Sequence, residues 1–255
     1  MKIKRLLYTF DSKKHPFKPF DLARHVSRLS GFGLSEALFP QAGPYERWKD
    51  DLEKAGIGPK KIQDRGFSCE KILRTARDED VSLLMVNLGE NPVDSRGRAL
   101  IRKLINRSHI PVLFIKNKVA ETNWGDLDFF SHVIFAVNWA EPSRKAFRRL
   151  IDLKKIVRQL EIINVVERKL TIQDLRKIKQ RLAETRRLCL NENIDAEAHI
   201  YAGKLDEEIL TAGRDYRGTI IFMGGRARKT PVKDLFIKND LCKTVENSDS
   251  PVWIF

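Results

Sequence analysis

At 255 residues, with 42% hydrophobic and 32% charged residues, the chain has the composition of a soluble globular protein able to bury one large core or two small ones. No apolar run approaches the roughly 20 residues that span a bilayer, the basic start has no long apolar segment behind it, and Cys69, Cys189 and Cys242 lack metal-ligand spacing; no membrane span or signal peptide is expected, and the cysteines are expected to be buried thiols in a reducing cytoplasm. A net charge of +14 admits a polyanion partner, but Arg176, Lys177, Lys179 and Arg181 interleave with Leu175, Ile178 and Leu182 at helical spacing, as on a solvated amphipathic face, so no specific nucleic acid is expected.

Taken in order, residues 3–10 suit a strand, and Pro16 and Pro19 precede a helix-like stretch over 20–30. A strand is predicted within 31–39 and a helix over 45–54, ended by Gly56, Gly58 and Pro59. A short strand over 62–65, a helix over 69–77, an apolar strand over 81–87, a helix over 96–106 and a strand over 111–116 follow. The second half opens with a strand over 132–138, then a helix started by Pro142 and running over 143–155. After a strand over 160–166, Thr171 caps a long helix to about 191, with Asp174 near its positive end. Strands over 196–201, 219–223 and 252–255 complete the chain. Strands alternating with helices argue for an α/β protein with a parallel sheet.

The second half repeats the first. At an offset of 137 residues, Gly66, Glu70, Ile72, Leu73, Arg77 and Asp78 meet identical residues in Gly203 to Asp215, and Leu83-Leu84-Met85-Val86 lands on Ile220-Ile221-Phe222-Met223. Ile110-Pro111-Val112 resembles Ser250-Pro251-Val252, and 6–11 resembles 133–138, in the same order. Two homologous β-α-β-α-β-α-β-α-β domains are expected, over 1–118 and 131–255.

The stretch 219–229 ends an apolar strand in Gly224-Gly225 and the cations Arg226, Arg228 and Lys229. Ligands bind beyond the carboxyl ends of such strands, and glycines followed by a helix N-terminus favour phosphate. The alternative is a plain strand-to-helix turn with solvated cations. Asp11 and Asn138, at the ends of the first strands, carry the same two meanings, site residue or turn former.

These ordered features resemble the universal stress protein family: a strand-end Asp or Asn, Gly-x-x-x-x-Glu-x-Ile-Leu before an apolar strand, a glycine loop and a closing Pro-Val strand, all occurring twice. The resemblance implies two tandem doubly wound, Rossmann-like domains of the adenine nucleotide alpha hydrolase-like type. Each would be a five-stranded parallel sheet of order 3-2-1-4-5. It also implies an intramolecular pseudo-dimer of the two domains, and leaves a further homodimer open. ATP is the cofactor it implies, through Gly-x-x-Gly, nine residues, then Gly-Ser or Gly-Thr. Here the sequence departs: counting from Gly224 puts Ala227 and Ile237 at the later glycines, and counting from Gly225 puts Arg228 and Lys238 there with Asn239 at the hydroxyl position. The first domain has only Gly89 in a loop with Glu90 and Asp94, which repel phosphate; there Pro111 lies 24 residues after Asn87, against 27 from Gly224 to Pro251. A nucleotide is therefore expected in the second domain only. Its place lies between Val137-Asn138, Val165-Val166 and Met223-Gly224, with the base near Val165 and Val166 and phosphates near Gly225, Arg226, Arg228 and Asn239.

No enzyme constellation emerges: His15, His25, His109, His132 and His199 are isolated in the sequence, and there is no nucleophile elbow and no P-loop. Trp139 either stacks on a base or packs against the following helix. The expected function is a cytoplasmic stress-response binding or regulatory module with weak ATP binding. A slow ATP hydrolase using the second crevice and a charge-driven nucleic-acid binder stand as alternatives.

Overall fold

A computed structural model describes residues 3–10, 26, 28–40, 45–63, 67–89, 93–116, 129–225 and 234–255. The chain divides into two compact units, Met1–Asn123 and Trp124–Phe255.

The first unit holds strands β1 (Arg5–Phe10), β2 (Glu36–Pro40), β3 (Gly58–Ile62), β4 (Leu83–Asn87) and β5 (Val112–Ile115), with helices α1 (Tyr45–Lys54), α2 (Cys69–Asp78) and α3 (Ser95–Arg107). All pairings are parallel, in the order β3-β2-β1-β4-β5. β4 is buried at all five positions, as a strand covered on both faces must be, and this is why it reads as an uninterrupted apolar run. Ser68 caps α2 by accepting from the Lys71 amide, and Asp94 caps α3 by accepting from Gly97 N–H at 2.7 Å.

Two elements begin elsewhere than the sequence suggests. Arg28–Phe32 forms a 3-10 turn and Gly33, at φ 93°, swings the chain into β2, so the strand within 31–39 starts late. Gly58-Pro59, read as a helix terminator, opens β3: Gly58 N–H donates to Ser35 O at 2.8 Å, and a proline is tolerated on a strand that pairs, among the described residues, with β2 alone. Most of the helix expected over 20–30 lies outside the described residues.

The second unit repeats the plan with β6 (His132–Ala136), β7 (Gln159–Val166), β8 (Asp195–Ala202), β9 (Ile220–Met223) and β10 (Val252–Ile254), and helices α4 (Glu141–Asp152), α5 (Ile172–Asn191), α6 (Leu205–Asp215) and α7 (Asp234–Asn247). Its strand order, β8-β7-β6-β9-β10, is again 3-2-1-4-5 and all parallel. The 137-residue offset holds in the fold: α2 maps onto α6 and β4 onto β9 to within a residue. Thr171 caps α5 as predicted, and Asp174 does more than sit near the positive end: the two close a reciprocal capping box.

The steps β6 to β7 to β8 run in one direction, so right-handed crossovers place α4 and α5 on one face of this sheet. The return to β9 places α6 and α7 on the other. The side chains agree: Tyr216, at the end of α6, reaches His199 on β8, which shares its face with Glu161 and His132.

Candidate functional site

The carboxyl edge of the second sheet gathers the predicted residues by register. Ala136 pairs with both Ile163 and Met223, so Val137-Asn138, Val165-Val166 and Gly224-Gly225 leave neighbouring strand ends, β6 lying between the other two. Val165 and Val166 are half-buried and Asn138 is exposed; Asn239 is exposed on α7. Arg226, Arg228 and Lys229 lie outside the described residues, as does Asp11 in the first unit.

The geometry assigns new roles to several of these groups. Gly225 N–H donates to Phe255 O at 2.6 Å, so this amide is engaged by the last residue of the chain. A Cβ on Gly225 would strike that same oxygen, and one on Gly224 would strike the backbone of Pro142 and Ser143 at the start of α4. Both glycines are thus demanded by close approach of the chain to itself. Asn138 makes an Asx turn: its Oδ1 accepts from Ala140 N–H at 3.0 Å, and its own N–H donates to Ser143 Oγ at 3.3 Å. Trp139 takes a left-handed backbone, φ 56°, and its indole N–H donates to Thr185 Oγ at 3.2 Å, with the Arg181 guanidinium 5.6 Å from the ring centroid. Its ring thus rests against α5. Beneath this edge, the buried Asn164 amide donates to Val137 O at 2.7 Å, and its Oδ1 has no partner among the described residues.

The sequence assigned acidic repulsion to the first unit alone. The fold brings carboxylates to the second crevice as well. Glu167, just past β7, accepts from Leu205 N–H at 3.0 Å and so tethers the start of α6. The buried Asp206 lies 3.9 Å from Lys243 Nζ. Asp240, one residue beyond Asn239, has its pKa raised by burial and then by the negative charges of Glu167 and Asp206. These acids come from three elements separated by tens of residues, so no local motif announces them. In the first unit, at the end of β4, Asn87 donates to Tyr8 OH at 3.0 Å and its Oδ1 accepts from Gly89 N–H at 2.8 Å.

A second polar cluster escaped the sequence reading altogether. Glu161, mostly buried, accepts from His132 Nε2 at 2.9 Å and from His199 Nε2 at 2.7 Å. With Nε2 donating, His199 Nδ1 accepts from the Tyr216 hydroxyl at 3.2 Å, and the two rings stack with centroids 4.8 Å apart. His132 and His199 are therefore not isolated. Their partners sit on neighbouring strands, where a period-two register aligns them. The cluster lies toward the amino end of the sheet: Glu161 is five residues from Val166, roughly 16 Å along the strand. Among the described residues no group of His, Cys, Asp and Glu is arranged to hold a metal ion. No described helix is long and apolar enough to cross a membrane.

No family model matches the chain, and no curated protein matches it in sequence. Solved structures do. A universal stress protein from Archaeoglobus fulgidus superposes with a TM-score of 0.71 at 17% identity, covering 99% of this chain and 96% of that one. A protein of unknown function from Pseudomonas aeruginosa gives a TM-score of 0.68 at 15% identity, covering 100% and 93%. The likeness is one of fold, and it spans both units.

Proposed function

We propose that this chain is a tandem universal stress protein acting as a stress-response binding module, with a weak adenine-nucleotide site at the carboxyl edge of its second unit. The observation that carries the reading is the placement of Val137, Val165, Val166 and Gly224 at three neighbouring strand ends, β6 in the middle, in a doubly wound sheet whose chain order reverses there. At such a reversal the adjacent loops diverge and leave room for a ligand. Val165 and Val166 offer half-buried apolar surface to a base, and Asn239 stands exposed where phosphates would lie.

The same geometry argues for weakness. Gly225 N–H is already bonded to Phe255 O, and Glu167, Asp206 and Asp240 oppose a polyphosphate. Charge on Arg226 and Arg228 favours it.

Titration calorimetry of the full chain with ATP tests this. A dissociation constant of about 0.1 mM or weaker is expected. Asn239→Glu adds repulsion on an exposed helical position and is expected to weaken binding at least fivefold. Val166→Trp fills the apolar part of the crevice and is expected to abolish it. Absence of binding by the wild type, or unchanged affinity in both variants, overturns the reading.

A further inference from the structure

The positive charge of this chain is not spread evenly. Residues 141–192, which hold α4 and α5, carry fifteen Lys and Arg against seven Asp and Glu, a net +8 of the chain's +14. Residues 203–250, which run from α6 to α7, carry nine against eight. The positive charge of the second unit is therefore concentrated in the segment that holds α4 and α5.

Ion pairs take up part of the charge of this unit. Lys154 meets Glu192 at 2.6 Å, Arg186 meets Glu197 at 3.2 Å and Lys204 meets Glu207 at 2.8 Å. Arg176, Lys179 and Arg187 differ. All three are exposed on α5, and no acidic or hydrogen-bonding partner stands against them among the described residues. Their spacing, with Ala183 between Lys179 and Arg187, puts them on one outward stripe that runs about 16 Å along the helix. The inward face of α5, with Leu182, Thr185 and Cys189, is buried.

We propose that the α4–α5 face is a docking surface for the phosphate backbone of duplex nucleic acid, independent of base sequence and separate from the nucleotide crevice. Unpaired guanidinium and ammonium groups on a rigid helix meet phosphates without first breaking ion pairs, and binding releases condensed counterions. A membrane surface fits less well. An interfacial helix presents a continuous apolar face, whereas exposed Ile172 sits at the start of α5 and exposed Leu188 and Leu190 at its end, with the three cations between them.

Fluorescence anisotropy of the full chain with a random-sequence 20-base-pair duplex at 50 mM salt is the test. Wild type is expected to bind, and scrambling the duplex sequence is expected to change nothing. The triple variant Arg176→Gln, Lys179→Gln, Arg187→Gln is expected to lose at least tenfold in affinity. Its dependence on log salt is expected to flatten by about 0.9 for each phosphate contact removed. The control Lys204→Gln, Arg214→Gln, Lys243→Gln removes the same charge from α6, its cap and α7 and is expected to stay within about twofold of wild type. Equal losses in both triples, or no duplex binding by wild type, overturn the proposal. So does binding to vesicles containing phosphatidylserine in place of the duplex.

Discussion

Gly224 and Gly225 were legible as special positions, and their meaning was not. A glycine pair after an apolar strand signals close approach of something to the backbone, and the sequence offered phosphate. The fold supplies a nearer cause: Pro142 and Ser143 on one side, and Phe255, thirty residues downstream, on the other. Those partners are remote in sequence, so no local count could have found them. The consequence is measurable. Gly224→Ala pushes a methyl group into the backbone of the first turn of α4 and is expected to destabilise the nucleotide-free protein by about 2 kcal/mol or more in urea denaturation. Unchanged stability with lost ATP affinity would return the glycine to a ligand-contacting role. The histidines teach the same lesson. His132, Glu161 and His199 are far apart in the chain, and only the register of β6, β7 and β8 puts both imidazoles on one carboxylate.

Element type and order were the most legible features, because they rest on periodicity and caps that act locally. The Thr171 cap with Asp174 in the first turn, the proline at the start of α4 and the 137-residue repeat all survive in the fold. What an element's end faces is not local. The early turns of α7 carry Asp240 toward Glu167 after β7 and Asp206 at the start of α6, and this acidic convergence lies in no single segment. Because burial and these neighbours raise the Asp240 pKa in the folded chain above its ordinary 3.8, ionising it weakens the native state. The native state holds the proton more tightly than the unfolded chain, so stability falls as pH rises through the carboxylate range, and the penalty is fully present at pH 7. Asp240→Asn is expected to raise Tm by about 1 to 3 °C at pH 7 and to leave it unchanged at pH 3, by differential scanning calorimetry. A fall in Tm at pH 7 would mean that the attraction of Lys243 outweighs the two carboxylates.

At the scale of the whole chain, two units of one topology have kept different things. The first ties Asn87, at the end of β4, to Tyr8 and Gly89. The second keeps the half-buried pair Val165-Val166 and an exposed Asn239, and its positive charge is concentrated in the segment that holds α4 and α5. Composition alone showed the excess of Lys and Arg but not where along the chain it lies. The central claim is that this tandem chain holds one weak adenine-nucleotide site and that the site belongs to the second unit. Native mass spectrometry of the full chain across an ATP titration tests it most directly. The account predicts a single ATP adduct per chain that saturates near one and is lost in Val166→Trp. Two adducts per chain, a single adduct that persists in Val166→Trp, or none at millimolar ATP would contradict it.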